Sequence, residues 1–72
     1  MTRAEHVQWA KDRALEYLQR GDVTNAFTSF TSDLNKHPET AKSPTLELGA
    51  MLFFSGHLKT ERQMREWITG FN

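Results

Sequence analysis

The chain has 72 residues, with nine basic side chains against nine acidic ones and no cysteine. That length makes one domain, near the lower limit for folding without a staple, and the lack of thiols excludes a disulfide framework or a cysteine zinc site. Five cations meet five anions in residues 1–36 and four meet four in 37–72, so no basic stripe offers the phosphate neutralisation on which nucleic-acid affinity rests.

A first helix is predicted over residues 3–20. "TRAE" at its start is a capping box, with the Thr2 hydroxyl placed to accept from the Glu5 amide and the Glu5 side chain placed to answer back. Val7, Ala10, Ala14, Tyr17 and Leu18 then recur at helical spacing as one apolar stripe. Gly21 is positioned to end the helix in a left-handed turn.

The second helix is predicted over 22–36, capped by Asp22, with Val23, Ala26, Phe27, Phe30 and Leu34 facing inward. Its outward side carries Thr24, Asn25, Thr28, Ser29, Thr31, Ser32 and Asn35, with no charge except the nearby Asp33. Such short side chains lose little rotamer entropy when a partner presses on them. Pro38 stops the helix by removing a donor and pushing His37 out of helical geometry. "HPETAKSP" reads as a loop.

A third helix over 44–55 opens with "SP", Ser43 as cap and Pro44 in the first turn. From Leu46 to Phe54 apolar residues fall on nearly every side, the pattern of a central, buried helix. Gly56 ends it. The fourth helix, over 61–70, begins with the capping box "TERQ" at Thr60 and presents Met64, Trp67, Ile68 and Phe71 to the interior. The short connections at Gly21 and Gly56 force their flanking helices to lie antiparallel. The expected architecture is therefore all-α: one compact four-helix domain over 1–72, made of two antiparallel hairpins. Phe27, Phe30, Leu48, Leu52, Trp67 and Ile68 are expected to meet at its centre.

Two resemblances stand beside this reading. Ala14, Tyr17, Gly21, Asp22, Ala26, Phe30 and Pro38 space out as "A..Y...GD...A...F.......P", so residues 10–38 resemble a single tetratricopeptide-like helical hairpin. "LGAMLFFSGHL" is a weaker second copy, but Glu61 and Arg65 stand where Ala26 and Phe30 stood. The fourth helix then cannot pack on the third in that family's register, which points to a closed bundle rather than a stack. "SDLNKHPET" and "ITGFN" resemble short, uncharacterised helical proteins encoded by bacteriophages. That resemblance implies a small protein without enzymatic activity that binds a host protein and inhibits or redirects it, in some cases a defence system, as an anti-CRISPR-type inhibitor does.

Chemistry-bearing residues are dispersed. His6, His37 and His57 include no pair at the three- or four-residue spacing that puts two ligands on one helix face. His6 reads as a solvated helix residue, and the other two as residues favoured by helix C-termini. Ser29, Ser32, Ser43 and Ser55 sit in no nucleophile elbow, and no glycine-rich phosphate loop is present. No catalytic, cofactor or metal residue is expected.

Aromatic and arginine side chains mark the expected contact surface instead. Trp9 falls off the first stripe, and Phe53 and Phe54 cannot both enter one small core. The partner-binding residues expected are Trp9, Arg13, Thr28, Ser32, Phe54 and Arg62. The expected partner is a host protein. Competing expectations are a peptide-binding adaptor using Lys11 and Arg3, and self-association burying Met51 and Phe54 across a two-fold axis. A helix-turn-helix reader using Arg62, Gln63 and Arg65 is opposed by Glu61 and Glu66. "MTRAEHVQWA" lacks the apolar run of a signal peptide, and "GAMLFF" is too short for a membrane span, so the expected location is the cytoplasm.

Overall fold

The capping box at Thr2 starts α1 (Arg3–Gln19): the Glu5 amide donates to Thr2 Oγ1 at 3.1 Å, and the Thr2 amide donates to Glu5 Oε1 at 3.0 Å. The computed structural model describes residues 2–41 and 43–71, with Glu39 described by its backbone. Val7, Ala10, Ala14 and Leu18 form the buried stripe, joined by His6. Gly21, at φ 77°, then reverses the chain. Its amide donates to Leu18 O at 2.9 Å and the Asp22 amide to Tyr17 O at 3.0 Å, which is the Schellman pairing of a glycine-terminated helix.

Asp22 caps α2 (Val23–Asn35) through the Asn25 amide at 3.1 Å. Ala10, Ala14 and Ala26 have no exposed surface at all, and small residues of this kind let two helix backbones come close. The three-residue turn lays α2 antiparallel on α1, and this hairpin is the most extensive helix contact in the molecule.

"HPETAKSP" is not an unbroken loop. Pro38–Ala41 form a one-turn helix, α3. Proline suits a first helical position because its missing N–H would have no partner there. The turn is anchored by Thr40, fully buried, whose hydroxyl donates to Leu34 O at 2.5 Å and reaches His37 O at 3.1 Å. One residue of this segment, Lys42, lies outside the described residues.

Ser43 occupies the cap position of α4 (Pro44–Phe54), but its side chain makes no capping hydrogen bond. A second Schellman turn closes α4 at Gly56, φ 87°, with Gly56 N to Phe53 O at 3.2 Å and His57 N to Leu52 O at 2.8 Å. The second capping box forms as expected at α5 (Glu61–Thr69), where Thr60 Oγ1 accepts from Gln63 N at 3.1 Å and Gln63 Oε1 accepts from Thr60 N at 3.2 Å.

The core runs from α1 and α2 to α5: Leu18, Phe30, Leu34, Met64, Ile68 and Phe71 are essentially fully buried. Phe30 sits edge-on to both Trp67 and Phe71, with ring centroids 5.4 and 5.3 Å away. Among the described residues there are four longer helices, one short one and no strand. The radius of gyration, 11.1 Å, equals the value of about 11 Å expected for a compact chain of this length.

The expected centre needs one correction. α4 is not the central helix but a peripheral one, and Leu48 is 52% exposed instead of buried. Leu46, Gly49 and Phe53 take its inward side. A Cβ on Gly49 would fall 1.9 Å from the Trp67 ring, and Phe53 stacks flat on Phe27 with ring centroids 4.3 Å apart. Ala50 and Leu52 are half-buried against the same core, and with that side committed Leu48, Met51 and Phe54 face outward.

Candidate interaction surface

Two surfaces stand out, one polar and one apolar. The polar one lies on the α1–α2 hairpin and centres on Asp33, which is 1% exposed. Asp33 does not share the outward face of α2, as expected from the sequence, but points between the helices. Its burial follows from its phase, three residues after Phe30 on the same stripe. A buried carboxylate needs charge compensation, and two cations provide it. Arg13 Nε lies 2.9 Å from Oδ2, and Lys36 Nζ lies 3.3 Å from Oδ1. Only the Lys36 contact is aligned as a hydrogen bond. Oδ2 is held by charge and has no hydrogen-bond partner.

Trp9 is the platform for both cations. The Arg13 guanidinium lies 4.8 Å from its ring centroid and Lys36 Nζ lies 6.0 Å from it, within the range of cation–π attraction. His6 is not solvated, contrary to its sequence reading: it is 7% exposed, with Nε2 2.8 Å from Asp33 O. Because a carbonyl only accepts, Nε2 carries the proton and donates. The His6 ring is 5.2 Å from His37 and 5.7 Å from Trp9. Two of the three histidines thus meet, while His57 stays exposed elsewhere. No group of three or more metal-ligating side chains occurs among the described residues.

Beside this cluster a groove of about 210 Å³ runs along the hairpin, lined by Arg13, Tyr17, Thr28, Ser29, Ser32 and Lys36, with Asp33 beneath. The hydroxyls along α2 are not equivalent. Thr28 and Thr31 donate to the carbonyls of Thr24 and Phe27, both at 3.0 Å, so those groups are committed to the helix itself. Ser29 Oγ is buried in the groove with no hydrogen-bond partner.

The apolar surface is the outer side of α4, where Leu48, Met51 and Phe54 are 52, 69 and 83% exposed. These three residues recur every three positions, close enough to a helical turn to form one oblique stripe. Phe53 and Phe54 do divide as their adjacency requires, Phe53 against the core and Phe54 into solvent.

The structure therefore separates the six residues expected to bind a partner. Trp9, Arg13, Thr28 and Ser32 gather on the α1–α2 face. Phe54 lies on α4. Arg62 is exposed on α5 and pairs with Glu66 at 3.4 Å, while Arg65 pairs with Glu61. Of the two cations considered for peptide capture, Lys11 donates to Thr69 O at 3.2 Å and Arg3 lies in a depression shared with Phe71. Sequence reasoning missed His6, Asp33, Lys36 and Tyr17 in the polar cluster and Leu48 in the apolar stripe. For Asp33 a signal existed in its phase on the α2 stripe. Leu48 carried none.

No protein-family model, no curated protein and no solved structure matches the chain. No described helix is long and apolar enough to cross a membrane.

Proposed function

We propose that this chain is a small, non-enzymatic interaction module that binds a host protein in the cytoplasm through its α1–α2 face and inhibits or redirects it. One observation carries the reading: Ser29 Oγ is buried without a hydrogen-bond partner, and Asp33 Oδ2 has only its charge contact with Arg13 and no aligned hydrogen bond, beneath a rim of Arg13, Tyr17 and Lys36. Buried polar atoms in folded proteins almost always find partners. A donor from a second protein entering this groove would meet both, and the Arg13–Trp9 pair beside it is of the type that dominates interface energetics. The phage resemblance of "SDLNKHPET" and "ITGFN" supplies the class of partner, a host protein, and an inhibitory role.

A tagged chain used to capture proteins from host lysate tests this. A specific partner should be lost with Trp9→Ala and with Ser32→Arg, which fills the groove from an exposed position, and kept with Phe54→Ala. Circular dichroism should show unchanged helicity in all three. A partner that survives both groove variants, or no partner beyond the tag control, overturns the proposal.

A further inference from the structure

We infer that α4 is a hinged flap: it undocks and redocks as one unit while α1, α2 and α5 stay folded, and its opening uncovers Phe27 and Trp67. This goes beyond the proposed function and shares no residue with it.

The attachment of α4 is thin. Among the described residues, the close backbone pairings join α1 to α2, both of these to α3 and both to α5, and leave α4 out. Its hold is through side chains: buried Leu46, the Trp67 ring lying on Gly49, and the stack of Phe53 on Phe27. Ser43, at its N-terminal cap position, adds no side-chain hydrogen bond. The other helices have firmer ties to one another. They carry the fully buried Leu18, Phe30, Leu34, Met64 and Ile68, and Lys11 joins α1 to the end of α5 through Thr69 O at 3.2 Å.

Beneath α4 lies a polar atom that favours opening. Trp67 Nε1 is buried with no hydrogen-bond partner. Cε2, the ring carbon bonded to it, is 2.6 Å from where a Cβ on Gly49 would stand, so α4 is what covers this edge of the indole. A buried donor without an acceptor raises the energy of the docked form and regains water on opening.

Length makes the opening a single event. Eleven residues are too few to stay helical alone in water, so α4 melts as it leaves and its hydrogen bonds break together. The freed segment becomes a longer loop before α5, and loop entropy rises only slowly with length. Gly56, at φ 87°, is the hinge on the α5 side.

Amide exchange of the native chain, followed by NMR, tests this. The amides of Leu48 to Phe54 should exchange about tenfold or more faster than the slowest amides of α1 and α2. They should do so through one shared opening with a shallower urea dependence, because opening exposes less surface than unfolding. The Trp67 indole proton, although carried by α5, should exchange with them. Two variants separate flap from core. Val7 sits beside Arg3, Lys11 and Phe71, away from α4. Val7→Ala should accelerate the slowest amides about tenfold and leave α4 unchanged, since it weakens docked and open forms alike. Phe53→Ala removes an anchor and weakens only the docked form, so it should accelerate α4 and the slowest amides by the same factor. An α4 that shares the rate and urea slope of the slowest amides, or that exchanges at graded rates from its ends inward, overturns the inference. Equal acceleration of α4 by Val7→Ala, no acceleration by Phe53→Ala, or an indole proton that exchanges only with the slowest amides overturns it as well. Loss of the α1–α2 partner with Ser32→Arg is a separate readout, so either idea can fail alone.

Discussion

The α1–α2 hairpin and α4 both offer apolar residues to the core, and the fold handles them in opposite ways. The hairpin helices carry modest apolar stripes, but each stripe has one definite phase, and Val7, Ala10, Ala14, Leu18, Phe27, Phe30 and Leu34 are all buried. α4 is more apolar than either, yet only Leu46 and Gly49 are buried on it. Burial is awarded to a face, not to an average. A helix with polar residues on one side has a single orientation that satisfies both solvent and core. One that is apolar all round can satisfy the core with any side, and whatever it does not use stays exposed.

The sharpest way to break this comparison is a pair of truncations. Phe30→Ala removes a fully buried ring that two other aromatic residues meet edge-on, at a cost of about 3–5 kcal/mol. That approaches the entire stability of a domain this small, roughly 5 kcal/mol, so the variant should be largely unfolded by circular dichroism at room temperature. Phe54→Ala removes a ring of the same size that is 83% exposed and should shift stability by no more than about 0.5 kcal/mol. Similar urea midpoints for the two would mean that α4 belongs to the core after all.

A smaller effect tests how α4 is attached. Replacing Gly49 by alanine favours the helix by about 1 kcal/mol in propensity, but the added Cβ would fall 1.9 Å from the Trp67 ring. That ring has little room, since Phe27, Phe30 and Phe71 surround it at centroid distances of 5.4–6.1 Å. Overpacking of about 1–3 kcal/mol outweighs the propensity gain, so Gly49→Ala should be net destabilising, with a red shift of Trp67 emission in a Trp9→Phe background. A stabilised variant with unshifted emission would show that α4 is free to slide over α5.

What was legible in the sequence was local. Both capping boxes, the Asp22 cap and the two glycine turns are decided within four or five residues, and all form where the sequence placed them. The all-α class follows from the same short-range periodicity. The polar cluster was not legible because its contacts are distant: His6 reaches Asp33 across 27 positions, and Arg13 reaches it from the neighbouring helix. Spacing along one helix says which residues share a face. It does not say which face of a second helix arrives opposite, so the partners of Asp33 and the burial of His6 were not legible, although the burial of Asp33 itself was, in its phase three residues after Phe30. The placement of α4 failed for the reason already given, since an unphased helix holds no directional information to read.

The two regions should also differ in acid, by the smallest effect considered. The Thr2 amide, then the Thr2 hydroxyl region, hold the Glu5 carboxyl below its usual value, and the Asn25 side-chain amide, then its backbone amide, do the same for Asp22. A carboxyl with a depressed folded value contributes stability that is present above its unfolded pKa and lost as pH falls through the lower folded one. Both groups are exposed, so the loss is local fraying of the first turns of α1 and α2 rather than unfolding. α4 has no side-chain cap to lose, because Ser43 makes no such bond. Amide exchange followed by NMR through the acid range should therefore accelerate at Glu5 and Asn25 only once the pH is below the ordinary carboxyl values of 4.5 and 3.8, while the first turn of α4 shows no step. A step in α4 at the same pH would mean that its start is tied to the hairpin caps, and the two regions would then form one cooperative unit.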